Sequence, residues 1–252
     1  MNAANDHAVA RRAAEHTGKV LRELRTAEAF ADPAALRAEG DRRAQRALAG
    51  YLADARPDDT VFSEEAPDSD RRLHADRVWI IDPLDGTREF GEPGRTDWAV
   101  HVALWVRGEL VAGAVALPAL ETVLTADNPV VPPVPRTPPR ILVSRTRPPA
   151  EAVRLAEILP AELKPMGSAG AKVAAVLRGE AEAYVHAGGQ YQWDSAAPVA
   201  VAQAAGLHAS RLDGSPLVYN TAERSLPDLV VCHREIGGEL MAALGDEPVP
   251  TA

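Results

Sequence analysis

The segment Asp82-Pro83-Leu84-Asp85-Gly86-Thr87 directly follows the apolar run Val78-Trp79-Ile80-Ile81. The apolar run is short and rich in residues that favour β-structure, so it predicts a buried strand. Proline and glycine then predict a turn at the end of that strand. In such a turn two carboxylates three residues apart and a backbone carbonyl can converge on one point. Hard divalent cations such as Mg²⁺ prefer oxygen ligands of this kind.

Other acidic residues also stand at the end of a predicted strand or just before a predicted helix. Glu64 and Glu65 follow a predicted strand at residues 60–62, and Asp194 is predicted to precede a helix that starts at Ser195. Such carboxylates would repel one another unless a cation joined them. The structural alternatives are that Asp-Pro and Asp-Gly only make turns and that Asp194 only caps its helix.

The pattern of apolar residues predicts two different halves. Two amphipathic helices at residues 6–26 and 33–53, and a hairpin made of residues 98–106 and 110–117, indicate an N-terminal α+β half. Six prolines between residues 128 and 139 cannot belong to a helix or a central strand, so this segment is a connector. Alternating strands and helices follow. We therefore predict an α+β metal-binding half over residues 1–135 and an α/β half over residues 136–252.

Composition argues against several classes of protein. The 252 residues carry a formal net charge of -9, which argues against binding of a nucleic-acid polymer. One cysteine, Cys232, cannot form a disulfide framework or a thiolate metal site. No apolar run is long enough to span a membrane, and the first residues do not resemble a signal peptide. We expect a cytoplasmic protein that contacts no membrane.

The combined motifs resemble those of a known superfamily. Glu64-Glu65, Asp82 to Thr87 and Trp193-Asp194-Ser-Ala-Ala197, in this order and at these intervals, resemble the inositol monophosphatase superfamily of metal-dependent, lithium-sensitive phosphatases. The resemblance covers nearly the whole chain and implies a layered α-β-α-β-α sugar-phosphatase fold. The longer string from Trp79 to Phe90 is most similar to the CysQ branch of 3'-phosphoadenosine-5'-phosphate phosphatases, which act in sulfur metabolism.

The resemblance also implies a role for individual residues. Glu64, Asp82 and the Leu84 carbonyl match the ligands of a first Mg²⁺, and Asp82, Asp85 and Asp194 match those of a second, within a site for two or three ions. The residues that match catalytic positions are Glu64 and Thr87, which position the attacking water, and Asp41, which helps to order the site. The residues that match substrate-binding positions are Asp85, Gly86, Thr87, Gly167, Ser168, Lys172 and Asp194.

The implied reaction is hydrolysis of the 3'-phosphate of 3'-phosphoadenosine 5'-phosphate, and the implied partner is a small phosphate monoester. Inositol-1-phosphate and fructose 1,6-bisphosphate remain alternative substrates. A metal- or nucleotide-binding protein without activity is the rival from another class, although every carboxylate and Thr87 is retained. Arg88, Arg145, Lys172 and Arg211 are candidates for a second phosphate, with ordinary surface cations as the alternative. Homodimers occur in the superfamily, so a homodimer is one expected assembly.

Overall fold

Two sheets form the framework of the molecule. The computed structural model describes residues 3–28 and 30–245. Within them the first sheet has the strand order β1-β2-β3-β4-β5 and the second the order β7-β6-β8-β10-β9. The strands are β1 (Thr60–Ser63), β2 (Arg77–Asp85), β3 (Ala99–Val106), β4 (Glu109–Leu117), β5 (Thr122–Thr125), β6 (Arg140–Ser144), β7 (Glu162–Met166), β8 (Ala183–Ala187), β9 (His208–Ser210) and β10 (Asp228–Cys232). The helices are α1 (Ala3–Glu28), α2 (Pro33–Ala55), α3 (Thr87–Phe90), α4 (Ala150–Ile158), α5 (Ala169–Leu177), α6 (Gln192–Ala204) and α7 (Arg234–Gly245).

Alternation along the strands divides the interior into three cores. In β2, Trp79 and Ile81 face α1 and α2, whereas Val78 and Ile80 belong to the core that contains α5 and α6. The outer face of the second sheet packs against α4 and α7. The layers therefore run helix, sheet, helix, sheet, helix. The predicted α-β-α-β-α fold is confirmed.

The first two helices form where the sequence predicts them. Asp32 caps α2 by accepting hydrogen bonds from the Ala34 and Ala35 amides at 3.0 Å, and Pro33 occupies the first helical position. Leu21 and Leu24 of α1 are fully buried against the first sheet.

Two local predictions are wrong. Helix α6 starts at Gln192 rather than at Ser195, because the Asp194 carboxylate accepts a hydrogen bond from the Tyr191 amide and so holds the turn that precedes Ser195. Pro198 consequently lies inside the helix and not in its first turn. Strand β2 also continues through Asp82 to Asp85, with a shift in its register against β3 between these residues. The predicted turn is thus an irregular strand end, followed by Gly86.

The proline-rich segment connects β5 of the first sheet to β6 of the second, as predicted. The division into two halves at residue 135 stays a prediction. Four elements were not predicted from the sequence: β5, β7, β9 and α7. Helix α7 could have been recognised, because Ile236, Leu240 and Leu244 recur at helical spacing.

A compensated charge cluster lies at the start of β2. Arg77 bonds the Asp59 carboxylate at 2.8 Å and the Asp6 carboxylate at 3.0 Å, and Arg56 bonds Asp6 at 2.9 Å. The Trp79 Nε1–H donates to Asp59 at 2.9 Å. Two carboxylates and two guanidinium groups thus neutralise one another.

None of the described helices has the length and hydropathy that crossing a bilayer requires.

Candidate active site

Four carboxylates meet where β1 and β2 end. Strand β1 pairs in parallel with β2, with Ser63 opposite Ile81, so Glu64 and Asp82 follow at neighbouring positions. Asp194 enters from the first turn of α6, and the charges of Glu64, Asp85 and Asp194 all act on Asp82. The structure therefore brings together the four residues that the sequence predicts as side-chain metal ligands.

Asp82 is a buried carboxylate with one oxygen that makes no hydrogen bond in the described chain. Its Oδ1 accepts a hydrogen bond from the Leu84 amide at 3.0 Å, whereas its buried Oδ2 has no hydrogen-bond partner among residues 3–28 and 30–245. Burial, followed by repulsion from Glu64, Asp85 and Asp194, holds the pKa of Asp82 well above its usual range. An ionised Asp82 thus requires a positive charge from outside the protein.

Asp85 has the opposite environment. Its Oδ2 accepts hydrogen bonds from the Ser168 hydroxyl at 2.6 Å and the Gly170 amide at 2.9 Å, and it lies 3.2 Å from His101 Nε2. Burial alone would raise the pKa of Asp85, but His101, Ser168 and Lys172 outweigh that effect and lower it to about 2. Two hydrogen bonds therefore hold one carboxylate oxygen beside the His101 ring, and Oδ1 is left for a ligand.

His101 was not predicted as a site residue from the sequence. It is fully buried on β3, and its Nδ1 lies 3.2 Å from the Trp193 carbonyl oxygen. Because that oxygen can only accept, Nδ1 carries a proton. One ligand atom each of Asp82, Asp85 and His101 lie within 4.8 Å of one another. Since both ring nitrogens already face protein groups, we interpret His101 as a residue that positions Asp85 rather than as a metal ligand.

The tight packing around His101 requires a glycine. A Cβ atom at Gly170 would lie 2.1 Å from His101 Nε2. A side chain there would displace the imidazole from Asp85. A lone histidine in the apolar run of β3 was the available signal for this residue.

Glu64 and Asp194 complete the cluster. Glu64 is exposed, and partial desolvation by the surrounding chain, with the charges of Asp85 and Glu65, raises its pKa to about 7. Burial and the charge of Asp85 hold the pKa of Asp194 well above its usual range, against the hydrogen bond from the Tyr191 amide at 2.7 Å. Both shifts reflect desolvation first, and then neighbouring negative charge that the surrounding protein does not neutralise.

Thr87 lies beside this cluster at the start of α3. Its Oγ1 is 3.1 Å from Asp41 Oδ1 and 3.0 Å from the Leu84 carbonyl oxygen. Burial and the charge of Glu65 raise the pKa of Asp41 to about 6. Gly86 caps α3 with a φ of 86°, and a Cβ atom there would lie 3.0 Å from the Asp97 carbonyl oxygen. Only glycine fits this left-handed and crowded position.

The predicted substrate residues at the start of α5 make hydrogen bonds to other parts of the protein. Ser168 caps α5 and bonds Asp85, while the Gly167 amide donates to Asp97 at 2.6 Å. Lys172 is buried, and its Nζ donates to the carbonyl oxygens of Met166 and Gly167 at 3.3 and 3.2 Å. The alternative that Lys172 is a surface cation is therefore wrong. Direct substrate contact by these residues stays a prediction.

Two of the other cations proposed for a second phosphate already have partners. Arg145 bonds Glu89 and Glu92 at 2.8 Å, and Arg211 bonds Asp228. Arg88 is exposed, and it lines a small cavity of about 130 Å³ together with Ser168 and Lys172. A larger cleft of about 550 Å³ between α1 and β5 is lined by none of the carboxylates of the site.

The residues present fit a bound cation. Asp82 Oδ2 is buried without a partner, Asp85 Oδ1 stays available, and Glu64, Asp82 and Asp194 form no salt bridge with a lysine or arginine in the described chain. Carboxylate and carbonyl oxygens form a donor set for a hard divalent ion. The profile of the inositol monophosphatase family matches residues 3–130 and 135–245. The chain belongs to the inositol monophosphatase family.

Individual members of this family show how close the relationship is. A 3'-phosphoadenosine 5'-phosphate phosphatase of Mycobacterium tuberculosis is 51% identical over 241 residues, which cover 91% of this chain and 89% of that protein. The 3'(2'),5'-bisphosphate nucleotidase CysQ of Escherichia coli is 31% identical over 182 residues, which cover 68% and 74%. The inositol monophosphatase from Anabaena superposes with a TM-score of 0.78 at 20% identity, and 98% of each chain is covered. This last likeness shows the shared fold.

Proposed function

We propose that this chain hydrolyses the 3'-phosphate of 3'-phosphoadenosine 5'-phosphate to AMP and phosphate, with two or three Mg²⁺ ions. The observation that carries the proposal is the 51% identity to the mycobacterial phosphatase of that substrate, over nine-tenths of the chain. The meeting of Glu64, Asp82, Asp85 and Asp194 at one point supports it.

The same four side chains and one carbonyl would hold the ions. Glu64, Asp82 and the Leu84 carbonyl are proposed for the first ion, and Asp82, Asp85 and Asp194 for the second. Bound divalent ions supply positive charge for the phosphate dianion, lower the pKa of water and stabilise the leaving oxygen. The hydrogen bonds to Asp85 Oδ2 keep its other oxygen aimed in one direction.

Thr87 and Glu64 are proposed to act on the attacking water. The Thr87 hydroxyl donates its hydrogen to Asp41 or to the Leu84 carbonyl, so an oxygen lone pair is left to accept a hydrogen from water. The Glu64 carboxylate then accepts the second proton as water attacks phosphorus. The bond from phosphorus to the ribose 3'-oxygen breaks at the same time, and that oxygen takes up a proton from solvent water to become the 3'-hydroxyl of AMP. Direct attack by water requires no covalent intermediate, in keeping with the full burial of Cys232 away from solvent.

A phosphate-release assay tests the proposal. Purified protein with Mg²⁺ is compared on 3'-phosphoadenosine 5'-phosphate, inositol-1-phosphate and fructose 1,6-bisphosphate. We expect the highest kcat/KM for the nucleotide, since the purine and second phosphate offer binding energy remote from the reacting bond. A higher kcat/KM for either other substrate would refute the nucleotide assignment. Absence of phosphate release from all three would favour a binding protein without activity.

Lithium provides a second test of the site. We propose that Li⁺ occupies one of the Mg²⁺ positions and hinders product release. A titration with LiCl should inhibit phosphate release at concentrations that leave the melting temperature unchanged, with KCl as the control. A flat activity curve would contradict the proposed metal positions.

The proposal includes a cytoplasmic location and a small-molecule substrate, with a homodimer as one assembly. Sedimentation velocity of the purified protein distinguishes a dimer from a monomer.

A further inference from the structure

Tyr191 differs from every other large aromatic residue of this chain. It is 43% exposed, whereas the remaining phenylalanine, tryptophan and tyrosine residues, all within the described part, are buried or half-buried. A single exposed apolar side chain is common on protein surfaces and indicates no site by itself, so the support beneath the Tyr191 ring is what distinguishes this residue. The alternative is that Tyr191 merely shields the residue beneath it.

The ring of Tyr191 is held rigidly from one side. It stacks on the Trp193 ring at 4.8 Å between centroids and an interplanar angle of 13°. Trp193 in turn packs edge-on against Phe62 at 5.2 Å, and the Arg72 guanidinium covers Phe62 at 4.0 Å. This tier of side chains fixes the inner face of Tyr191 and leaves the outer face to solvent. A ligand that stacks there would order few additional groups.

These stacked side chains belong to the same chain segments as two carboxylates of the site. The Tyr191 amide donates to Asp194 Oδ2 at 2.7 Å, and Phe62 precedes Glu64 by two residues. Gly188 comes shortly before Tyr191, and a Cβ atom placed there would meet nothing within 4 Å. Open space therefore lies beside the chain that leads to Tyr191, and the Tyr191 backbone is bonded directly to one of the four carboxylates, Asp194.

We propose that the outer face of Tyr191 is the binding site for the nucleobase of the substrate. The inference rests on the proposed function, because the base and the reacting phosphate belong to the same ribose. Every base presents a flat π-face, and stacking on an aromatic side chain strengthens binding by about 10- to 100-fold. The ligand class is a nucleoside 3'-phosphate with a planar heterocyclic base.

Steady-state kinetics of Tyr191→Ala, Tyr191→Phe and Tyr191→Leu test the proposal on two substrates. One is 3'-phosphoadenosine 5'-phosphate, and the other is 1-deoxyribose 3,5-bisphosphate, in which hydrogen replaces the base. We expect Tyr191→Ala and Tyr191→Leu to raise KM for the nucleotide about 10- to 100-fold with little change in kcat, and Tyr191→Phe to resemble the wild type. For the base-free substrate, kcat/KM should change by less than about threefold.

Leu120→Ala is the matched control, because Leu120 is similarly exposed at 42% and lies far along the chain from the site. It should leave both substrates unaffected, and thermal melts verify that each variant is folded. An equal loss on both substrates, or no loss in Tyr191→Ala and Tyr191→Leu, would overturn the assignment of Tyr191. If the wild type itself shows no preference for the nucleotide over the base-free compound, the proposed nucleotide function fails instead.

Discussion

The two ends of strand β2 bear buried charge in opposite ways. At its start, Arg77 and Arg56 neutralise Asp6 and Asp59, and each carboxylate has a guanidinium partner. At its end, Asp82 meets Glu64, Asp85 and Asp194, and Asp82 Oδ2 has no partner in the described chain. The same strand thus joins a balanced cluster to one with an excess of negative charge.

The difference separates a structural role from a functional one. In a cluster with equal numbers of carboxylates and guanidinium groups, every charge has a partner once the chain has folded. Such a cluster can connect α1, α2 and the first sheet without a bound ion. A cluster of unbalanced carboxylates opposes folding unless their pKa values rise or a cation binds. The carboxylates are buried at both ends of β2, so burial alone does not identify a functional site. The two clusters differ in whether cationic side chains neutralise the carboxylates.

The largest expected effect is that of Asp82→Asn at the unbalanced end. We expect phosphate release to fall by about 1,000-fold or more, because Asp82 is proposed to bridge two ions that neutralise the substrate. Mg²⁺ should stabilise the wild type by about 2.7 kcal/mol at a hundredfold excess over Kd. This shift in the melting temperature should largely vanish in the variant. Without metal, the variant is expected to be slightly more stable than the wild type.

Asp59→Asn is the matched control at the balanced end, since the Asp59 side chain is also buried, at 4% exposure. It should lower the melting temperature with or without Mg²⁺ and should keep the Mg²⁺ shift. An Asp82→Asn protein that retains both its activity and the Mg²⁺ shift would show that both ends of β2 are structural.

Thr87→Ala should lower kcat by about 100-fold, because the hydroxyl proposed to orient water is lost. The melting temperature and the Mg²⁺ shift should change little, as Thr87 is not a proposed ligand. Thr87→Ser restores a hydroxyl and should recover most of the activity. Equal kcat values for Thr87→Ala and Thr87→Ser would remove Thr87 from the mechanism.

Arg77→Met should destabilise the fold by about 3 kcal/mol, since it leaves Asp59 buried without its guanidinium partner. Urea unfolding measures this loss, and the double variant with Asp59→Asn should recover part of it. Specific activity per folded molecule should remain. A selective loss of Mg²⁺ binding in Arg77→Met would instead show that the two ends of β2 are coupled.

The smallest effect is expected at Cys232, a buried group that is neutral rather than paired. Burial raises the pKa of its thiol to about 12, so only about one molecule in 10,000 carries a thiolate at pH 8. Native protein should resist alkylation by iodoacetamide and keep its activity during the treatment. Rapid labelling detected by mass spectrometry would contradict this burial.

The sequence predicted the site best where its residues are close together in the chain. Asp82, Asp85 and Thr87 lie within six positions, and their spacing in a motif indicates a site before any fold is known. Glu64 and Asp194 were grouped with them from their positions at a strand end and before a helix, and resemblance to a family then assigned their roles as ligands. The layered fold followed from that resemblance and from the change in pattern after the proline-rich segment.

The groups that support these residues were harder to predict. Ser168 and Gly170 bond Asp85 across 83 and 85 positions of the chain, and no local pattern records such a contact. His101 was missed because a single polar residue in an apolar strand has many explanations. Short strands such as β9, with three residues, are too brief for their periodicity to be recognised.

The long separations within the site have a consequence for the order of folding. Asp85 accepts hydrogen bonds from Ser168 and Gly170, which follow it by 83 and 85 positions. His101 contacts the Trp193 carbonyl, which follows it by 92 positions. Contacts of such range carry the entropy cost of closing large loops, so they tend to form late on a folding route. A cation that requires the finished arrangement cannot guide the early steps. Binding of the cation to the folded state would instead lower the rate of unfolding. The cation would therefore make the folded protein longer-lived, and it would not make folding faster.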